Sequence, residues 1–164
     1  MSRNLTQDRL KEVLRYDSAT GEFFWVVKMS NFVKAGTVAG YCRPPQFYRY
    51  IRVDGENYSA HRLAWLYVFG SMPDGETDHI NGVPDDNKIA NLRIGTRSEN
   101  MQNQRRARKD STTGILGVVK LRNLYQAKIV VAGKQLHLGT FGTKEEAGHA
   151  YLLKKRKLHR FCTI

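Results

Sequence analysis

The sequence predicts an α+β protein assembled from small modules. Two features carry this prediction. Short runs of aromatic and β-branched residues alternate with turn residues, and two Thr-x-x-Glu capping boxes open helices after Thr96 and Thr143. The 164 residues contain no internal repeat and suffice for one ordinary domain or two or three very small ones. We therefore expect short strands and short helices around modest cores.

The N-terminal segment, residues 1–57, begins with a helix pattern. Apolar residues recur at 10, 13 and 14, and Asn4 or Thr6 is placed to cap the helix. A turn at 16–21 leads to an aromatic strand pattern. Two strands are therefore predicted in this segment: 23–27 and 48–53.

Residues 58–104 contain the densest set of signals. The run 60–69 is apolar enough to predict a largely buried helix, which Gly70 ends. A short strand, a polar loop and an apolar return follow in chain order: 77–80, 81–88 and 89–94.

A capping box opens the next predicted helix. The Thr96 side chain is placed to cap it, and Glu99 is placed to reach back to the capping residue. Asn100 then lies in the first turn of a helix that we expect to extend to about Arg106.

After a basic linker at 105–110, the C-terminal segment predicts a small sheet followed by a helix. Its three strand patterns are short: 114–119, 125–131 and 134–138. Thr143 and Glu146 form the capping box of the final helix. The core positions expected on this helix are apolar or aromatic: Ala147, Ala150, Tyr151, Leu153 and Leu158.

Charge is distributed unevenly along the chain. The net charge is +12, of which residues 1–100 contribute +1 and residues 101–164 contribute +11. A basic C-terminal part indicates binding to a polyanion, with nucleic acid the leading candidate, and such binding weakens steeply with salt. A surface that is basic only for solubility is the alternative.

Other bulk features exclude several classes of protein. No run approaches the roughly 18 apolar residues of a membrane span, and the N-terminus lacks the apolar core of a secretory signal. Cys42 and Cys162 are too few for a disulfide framework or a four-thiolate zinc site. We therefore expect a cytoplasmic location, free thiols and no structural zinc.

Asp78, His79 and Asn100 form the candidate catalytic set. A carboxylate and an amide oxygen suit a hard cation such as Mg²⁺, which keeps water in the rest of its shell. A neighbouring His can take a proton from water near neutral pH. These parts are what phosphodiester hydrolysis needs, and basic side chains nearby are available as phosphate clamps: Lys88, Arg93, Arg97 and Arg105.

Each of these residues also has a simpler interpretation. An Asp-His pair close to a Gly often forms only a turn. His61 lies in an apolar helix, which favours a packed or supporting residue over a ligand, and Asn91 is placed to hold a loop through its amide. A basic DNA-binding protein without catalysis is compatible with the same chemistry.

The spacing of the polar residues resembles the HNH endonuclease family, in the form seen in phage homing enzymes. The intervals between His79, Asn91 and Asn100 agree with that family, and the resemblance covers about residues 58–104. It is carried by four runs: His61-Arg62-Leu63-Ala64-Trp65, Asp78-His79-Ile80-Asn81-Gly82, Asp86-Asn87-Lys88-Ile89-Ala90-Asn91-Leu92-Arg93 and Ser98-Glu99-Asn100 with Asn103.

This resemblance implies a ββα-metal fold. Asp78 and Asn100 are then metal ligands, His79 is the general base, and Asn91 holds the loop that orients the base. The final motif position is Asn100 rather than His. This change removes a nitrogen ligand and favours Mg²⁺ or Mn²⁺, one ion per active site, over zinc or nickel.

Residues 111–161 resemble an AP2-type DNA-binding domain. The resemblance is carried by Gly114-Ile115-Leu116-Gly117-Val118, Tyr125-Gln126-Ala127-Lys128-Ile129, Leu138-Gly139-Thr140-Phe141 and Glu145-Glu146-Ala147-Gly148-His149-Ala150-Tyr151. It implies a three-stranded antiparallel sheet that packs on one helix and enters the major groove. The residues expected to face DNA are Lys120, Arg122, Tyr125, Lys128, Lys134 and His137. Tyr125 and Gly148-His149 depart from the family, where Trp and small apolar residues are usual.

We therefore interpret the chain as a metal-dependent DNA endonuclease of homing type, a nickase or a double-strand cutter, acting as a monomer or homodimer. Double-stranded DNA is the expected partner, with no membrane and no small-molecule cofactor. The alternatives are a catalytically silent DNA-binding regulator and an RNA-binding protein. The expected division is 1–57 as support, 58–104 as nuclease core, 105–110 as linker and 111–164 as the AP2-like domain. Residues 1–57 either supply further DNA contacts, through Arg43, Arg49 and Arg52, or only buttress the active-site helix.

Overall fold

The computed structural model describes residues 5–164, so Asn4, one of the two expected helix caps, lies outside the described residues. Compactness divides the chain into two units, Met1–Gly95 and Thr96–Ile164. Each unit has its own hydrophobic core. No helix within residues 5–164 is both long enough and apolar enough to cross a membrane.

The first unit begins with helix α1 (Gln7–Val13). The Thr6 side chain caps it by accepting a hydrogen bond from the Arg9 amide at 3.2 Å, which satisfies one of the amides that a helix start leaves without a partner. The chain then becomes extended and forms an antiparallel hairpin of β1 (Leu14–Asp17) and β2 (Glu22–Trp25). The predicted strand at 23–27 is therefore present with shifted ends, whereas its partner β1 was not predicted.

A three-stranded antiparallel sheet follows, with the order β3 (Tyr41–Arg43), β4 (Tyr48–Val53) and β5 (Glu56–Ser59). The sequence predicted only β4, and its bounds are confirmed. Ile51 and Val53 alternate inward on β4 and are fully buried. The two neighbouring strands contain no buried residue, so their sequences lack the alternation that reveals a strand.

Helix α2 (Ala60–Phe69) is confirmed at both ends. Gly70 ends it in the left-handed conformation, with φ of 82°, and its amide donates to the Leu66 carbonyl at 2.9 Å. Leu63, Ala64 and Leu66 are buried in the core that α2 shares with α1 and the first two sheets. This packing gives the next hairpin a rigid support.

The hairpin of β6 (Glu76–His79) and β7 (Leu92–Gly95) completes the first unit. The long loop between the strands ends in a short 3-10 helix, Ile89–Asn91. The predicted strand, polar loop and apolar return are therefore all present, with strand ends shifted by a residue or more.

The second unit begins with helix α3 (Arg97–Gln102) and its capping box is confirmed. The Thr96 side chain accepts from the Glu99 amide at 3.2 Å, and the Glu99 carboxylate accepts from the Thr96 amide at 2.9 Å. The expectation that this helix extends to Arg106 is wrong, because Asn103 is its C-cap and the backbone beyond leaves the helical path.

Three strands of the second unit form an antiparallel sheet in the order β10-β9-β8: β8 (Val118–Leu121), β9 (Leu124–Val131) and β10 (Lys134–Phe141). The first strand was expected at 114–119. It starts later because Gly114 and Gly117 adopt φ of 67° and 74°, which an extended strand does not tolerate.

Helix α4 (Lys144–Leu158) packs on this sheet, and its predicted capping box at Thr143 is confirmed. Its buried positions are Ala147, Gly148, Tyr151 and Lys155. The expectation that Leu153 and Leu158 belong to the core is wrong, since they are 47% and 37% exposed. The buried positions recur three or four residues apart, so they form one face, and the small residues at its start let the helix approach the sheet closely.

Candidate functional site

The β6–β7 hairpin places Asp78 and His79 side by side at the end of a strand. Both side chains are nearly inaccessible, with Asp78 8% and His79 4% exposed. Just beyond the strand, the Ile80 amide donates to the Asn91 carbonyl at 2.8 Å and closes the hairpin at this end. Two ionisable groups that are buried next to each other need partners, and the structure supplies a different partner for each.

Asp78 is paired with Arg93. The two residues are directly opposite in the hairpin register. The Asp78 Oδ2 atom accepts hydrogen bonds from Arg93 Nε at 2.9 Å and from Nη2 at 2.7 Å. The sequence suggested Arg93 as a phosphate clamp, and here its guanidinium compensates the charge of a buried carboxylate.

His79 is oriented by Asn87. Its Nε2 lies 3.3 Å from the Asn87 Oδ1 atom, while the Asn87 amide nitrogen donates to the Asp85 carbonyl at 3.0 Å. That second bond fixes the amide orientation, so Oδ1 is an acceptor and Nε2 must carry the ring proton. The lone pair of the imidazole is consequently on Nδ1.

Burial also sets the charge of His79. Burial lowers its pKa below the ordinary value, and this effect outweighs the Asn87 hydrogen bond and the negative charge of Asp78, which both raise it. The ring is therefore neutral at pH 7 and has a lone pair with which to accept a proton.

Asn87 itself is held from the first hairpin of the unit. It is 1% exposed, and its carbonyl accepts from the Tyr16 hydroxyl at 2.8 Å. The same hydroxyl accepts from the Ile89 amide at 3.0 Å. Gly21 approaches the loop so closely that a Cβ there would lie 2.5 Å from the Lys88 nitrogen. The β1–β2 hairpin thus buttresses the loop that presents Asn87.

Tyr16 and Asn87 were both missed as functional residues by sequence reasoning. Leu14 and Tyr16 are both buried, at alternate positions of β1. Their spacing of two residues was the only indication in the sequence that Tyr16 faces the core, and it was a weak one. No local pattern indicated that the hydroxyl of Tyr16 would meet a backbone some seventy residues away.

Asn91 ties the two ends of the loop together. Its Oδ1 accepts from the Asn81 amide at 3.0 Å, and its Nδ2 donates to the Asn81 side chain at 3.0 Å and to the Asp86 carbonyl at 2.8 Å. One side chain therefore makes three hydrogen bonds across the loop. This geometry suits the loop-holding role expected from the sequence.

The three arginines of the N-terminal segment have different surroundings. Arg49 points to the same side of β4 as the core residue Ile51, and its Nε and Nη2 donate to the two Asp85 carboxylate oxygens at 2.8 and 2.9 Å. Arg43 and Arg52 are exposed. Arg49 thus anchors the loop between β6 and β7, whereas Arg43 and Arg52 offer their charges to solvent.

The remaining predicted residues of this region lie just before the 3-10 helix, on α3 and beyond the end of α3. Lys88 is exposed and precedes the 3-10 helix. Arg97 is the exposed first residue of α3, and Asn100 is half-buried on the same helix in the second unit. Arg105, beyond the helix, donates through Nη2 to the Thr163 hydroxyl at 2.5 Å.

The donor set around Asp78 fits a weakly held, hydrated cation. Within residues 5–164, no three His, Cys, Asp or Glu side chains come together as a metal cluster. Asp78 brings one carboxylate, and Mg²⁺ is commonly bound through one or two carboxylates plus water and substrate phosphate. The residues are therefore compatible with Mg²⁺ or Mn²⁺ and do not form a cage of protein ligands.

The sheet of the second unit has one face covered by α4 and one open face. Ala127 and Ile129 of β9 are buried beneath the helix. Lys128 alternates to the other side and pairs with His137 of β10, so both lie on the open face.

The other residues predicted to face DNA lie elsewhere in the second unit. Lys120 pairs with Tyr125, and Lys134 pairs with Val131, on the face that packs against α4. Arg122 lies in the turn between β8 and β9 with φ of 52°. The six predicted residues consequently do not share one surface.

Part of the chain matches a known protein family. Residues 58–102 match the HNH endonuclease family. This HNH segment contains α2, the β6–β7 hairpin and α3, and with them His79, Asn91 and Asn100. The match supports nuclease activity on DNA, and nucleases of this family generally use a divalent metal. Neither a curated protein nor a solved structure matches the chain.

Proposed function

We propose that the chain is a metal-dependent DNA endonuclease whose hydrolytic centre is the β6–β7 hairpin, with His79 as the general base. One observation carries the proposal. A buried, neutral imidazole lies beside a buried carboxylate inside the HNH segment, and its ring proton is held on Nε2 by Asn87.

His79 takes the proton of the attacking water on Nδ1. Because its pKa is lowered, the lone pair on this nitrogen is present at pH 7 without prior loss of a proton. Asn87 keeps the ring in the tautomer that this step requires, and Asn91 keeps the loop that carries Asn87 closed.

Asp78 and Asn100 are the proposed ligands of a single Mg²⁺ or Mn²⁺ ion. When bound, the ion neutralises charge on the scissile phosphate and stabilises the departing oxygen. Since the Arg93 guanidinium is bound to Oδ2 of Asp78, its positive charge would oppose a cation at the same carboxylate. Asp78 alone would therefore hold the ion weakly, and a DNA phosphate would supply a further oxygen ligand and a partner for the Arg93 guanidinium.

The basic residues bind the DNA backbone. Phosphate contacts are proposed for Lys88, Arg93, Arg97 and Arg105 near the HNH segment, with Arg43 and Arg52 as exposed additions. The second unit is proposed as an AP2-like DNA reader through its sheet and turns. Its surplus of positive charge makes the affinity depend strongly on salt.

A homing role and a phage origin are part of the same proposal and rest on the sequence resemblance alone. One hydrolytic centre cuts one strand, so a monomer is a nickase. Two copies on one site make a double-strand break.

The deciding experiment compares wild type with His79→Ala on supercoiled plasmid in Mg²⁺ and in Mn²⁺. We expect nicking by the wild type and a loss of at least about a hundredfold in the variant, because general-base catalysis contributes roughly that much. Affinity for duplex DNA without metal should be unchanged. His149→Ala, an exposed His on α4, is the matched control.

Two results contradict the proposal. Wild-type nicking by His79→Ala rejects the assignment of the base. Plasmid that stays supercoiled over a range of both metals, while DNA binding is intact, favours the catalytically silent DNA-binding regulator. Stronger binding to duplex RNA than to duplex DNA in competition favours an RNA-binding protein.

A further inference from the structure

We propose that Tyr48 and His61 are positioning residues that fix the ring of His79, in a triangle of three aromatic rings. This inference rests on the proposed function, in which His79 is the base. It assigns roles to two residues that the sequence left as core or support.

Each of the three rings contacts the other two. The His61 and His79 centroids are 5.2 Å apart with planes at 89°, the Tyr48 and His61 centroids are 5.4 Å apart at 69°, and the Tyr48 and His79 centroids are 5.8 Å apart at 35°. Edge-to-face and tilted contacts at these distances are favourable geometries for aromatic pairs. His79 therefore cannot rotate about its side-chain bonds without displacing a neighbour.

The two supporting rings come from rigid elements. Tyr48 is the first residue of β4, next to Arg49, whose ion pair with Asp85 ties this strand to the catalytic loop. His61 lies in the first turn of α2, whose other side is buried in the core of the unit. A side chain packed between such elements is held more precisely than one on a loop alone.

His61 is itself held in one orientation at a cost to its helix. Ser59 is the N-cap of α2, yet its side chain caps no amide of that helix. Its hydroxyl lies instead 3.1 Å from the Nε2 of His61. A capping hydroxyl normally stabilises its helix, so diverting it to a ring indicates that the orientation of that ring matters.

His61 also carries a buried nitrogen that its place in the triangle does not require. Its Nδ1 atom is buried and has no hydrogen-bond partner among residues 5–164, a situation that costs free energy which a Phe ring would avoid. Burial lowers the pKa of His61 to about 3, so the ring is neutral and places no positive charge beside the base. A cation in that position would repel the imidazolium that His79 becomes after accepting a proton.

Asn87 and the ring triangle control different features of His79. Asn87 determines which nitrogen carries the proton. Tyr48 and His61 determine the plane of the ring, and with it the direction of the Nδ1 lone pair. Both are needed if the lone pair is to point at the water that attacks the phosphate, since small misplacements of a catalytic group reduce the rate severely.

The test removes a ring at one corner and restores it with a different ring. His61→Asn keeps a polar side chain but removes the ring, whereas His61→Phe keeps a ring of similar size. Single-turnover nicking of plasmid in Mg²⁺, at saturating protein, should fall by about tenfold or more in His61→Asn and stay within about threefold of wild type in His61→Phe. The affinity for duplex DNA in metal-free buffer should be the same for all three proteins, and His149→Asn is the control.

A second measurement does not depend on activity. Relaxation NMR of the ring carbons of His79 in the metal-free protein should show a single, rigid ring orientation in wild type and in His61→Phe. His61→Asn should show averaging between ring states. If wild type never nicks DNA, the proposed function fails, yet this measurement still reports whether His61 holds the ring.

Tyr48 tests the same triangle from another element. Tyr48→Phe keeps the ring and should behave like wild type. Tyr48→Leu removes the ring and should lose activity as His61→Asn does. If His61→Asn does not fold, the two Tyr48 variants test whether the rings position His79. Wild-type rates and wild-type His79 signals in the ring-deleted variants overturn the proposal. Equal losses in the ring-keeping and ring-deleted variants also overturn it, because the ring would then not be the cause.

Discussion

At the scale of single residues, burial rather than charge pairing controls the two imidazoles of the site. His61 and His79 both have lowered pKa values, and desolvation is the largest cause in each. A neutral His79 is useful to a base, but it has a thermodynamic consequence. Protonation of either ring is less favourable in the folded protein than in the unfolded chain.

The stability of the first unit should therefore fall in acid. The folded pKa of His61, about 3, lies below its ordinary value of 6.5, so between these pH values the unfolded chain binds a proton that the folded chain excludes. Its contribution to stability is complete above pH 6.5 and is lost as the pH falls toward 3. The loss has a slope of at most about 1.4 kcal/mol for each pH unit.

Urea denaturation between pH 7.5 and 5, followed by the fluorescence of Trp25 and Trp65, measures this loss, since both tryptophans lie in the first unit. His61→Phe should show a flatter dependence of the unfolding free energy on pH than wild type. An unchanged slope in that variant would mean that His61 is protonated in the folded protein.

Residues whose role is set by local geometry were predictable, and those set by distant contacts were not. The loop-holding geometry of Asn91 was expected because its amide stands at the end of a polar loop. Asn87 and Tyr16 meet through a contact between distant parts of the chain, and the pairing of Arg93 with Asp78 depends on strand register. Sequence patterns carry little information about either.

At the scale of elements, helix caps and apolar alternation in the sequence were sufficient to predict a helix or strand that contains such a pattern itself. Both capping boxes, α2 and β4 were predicted at or near their observed bounds. The edge strands β3 and β5 contain no buried residues, and the end of α3 depends on an Asn cap. The start of β8 was misplaced because left-handed glycines interrupt an otherwise apolar run.

Gly117 in this run should be intolerant of any side chain. A Cβ there would lie 2.0 Å from the ring of Tyr151, which is buried under the sheet, and the φ of 74° would strain it as well. Gly117→Ala should destabilise the second unit by roughly 3 kcal/mol or more, the sum of a left-handed backbone penalty and a steric clash.

Gly114→Ala is the matched control, since its φ is 67° and a Cβ there meets nothing within 4 Å. This substitution should lower the free energy of unfolding only by the backbone strain, about 1 kcal/mol. Hydrogen exchange of residues 124–131, followed by mass spectrometry, reports on this unit, which contains no tryptophan. Equal losses of stability in the two variants would show that the Tyr151 ring moves to make room for the new side chain.

At the scale of the whole molecule, compactness assigns α3 to the second unit rather than to a self-contained nuclease core. Within that unit, the C-terminal residues contact α3 and the chain just after it. The Phe161 amide donates to the Gln102 side chain at 3.3 Å, and the Thr163 hydroxyl donates to Asn103 Oδ1 at 2.6 Å. The Lys155 ammonium, buried on α4, donates to the Gln104 carbonyl. The helix that carries Asn100 therefore depends on the end of the chain.

Deleting residues 111–164 consequently tests more than DNA affinity. If 58–104 were an independent nuclease, the truncated protein would bind DNA weakly but keep residual nicking. The six residues of α3 are too few to form a stable helix alone, so we expect the truncation to displace Asn100 as well. Nicking should then be lost even at low salt and saturating protein. Lys128→Ala combined with His137→Ala weakens only the open sheet face and should retain nicking under those conditions. Nicking by the truncated protein at the wild-type rate would show that α3 forms without residues 111–164.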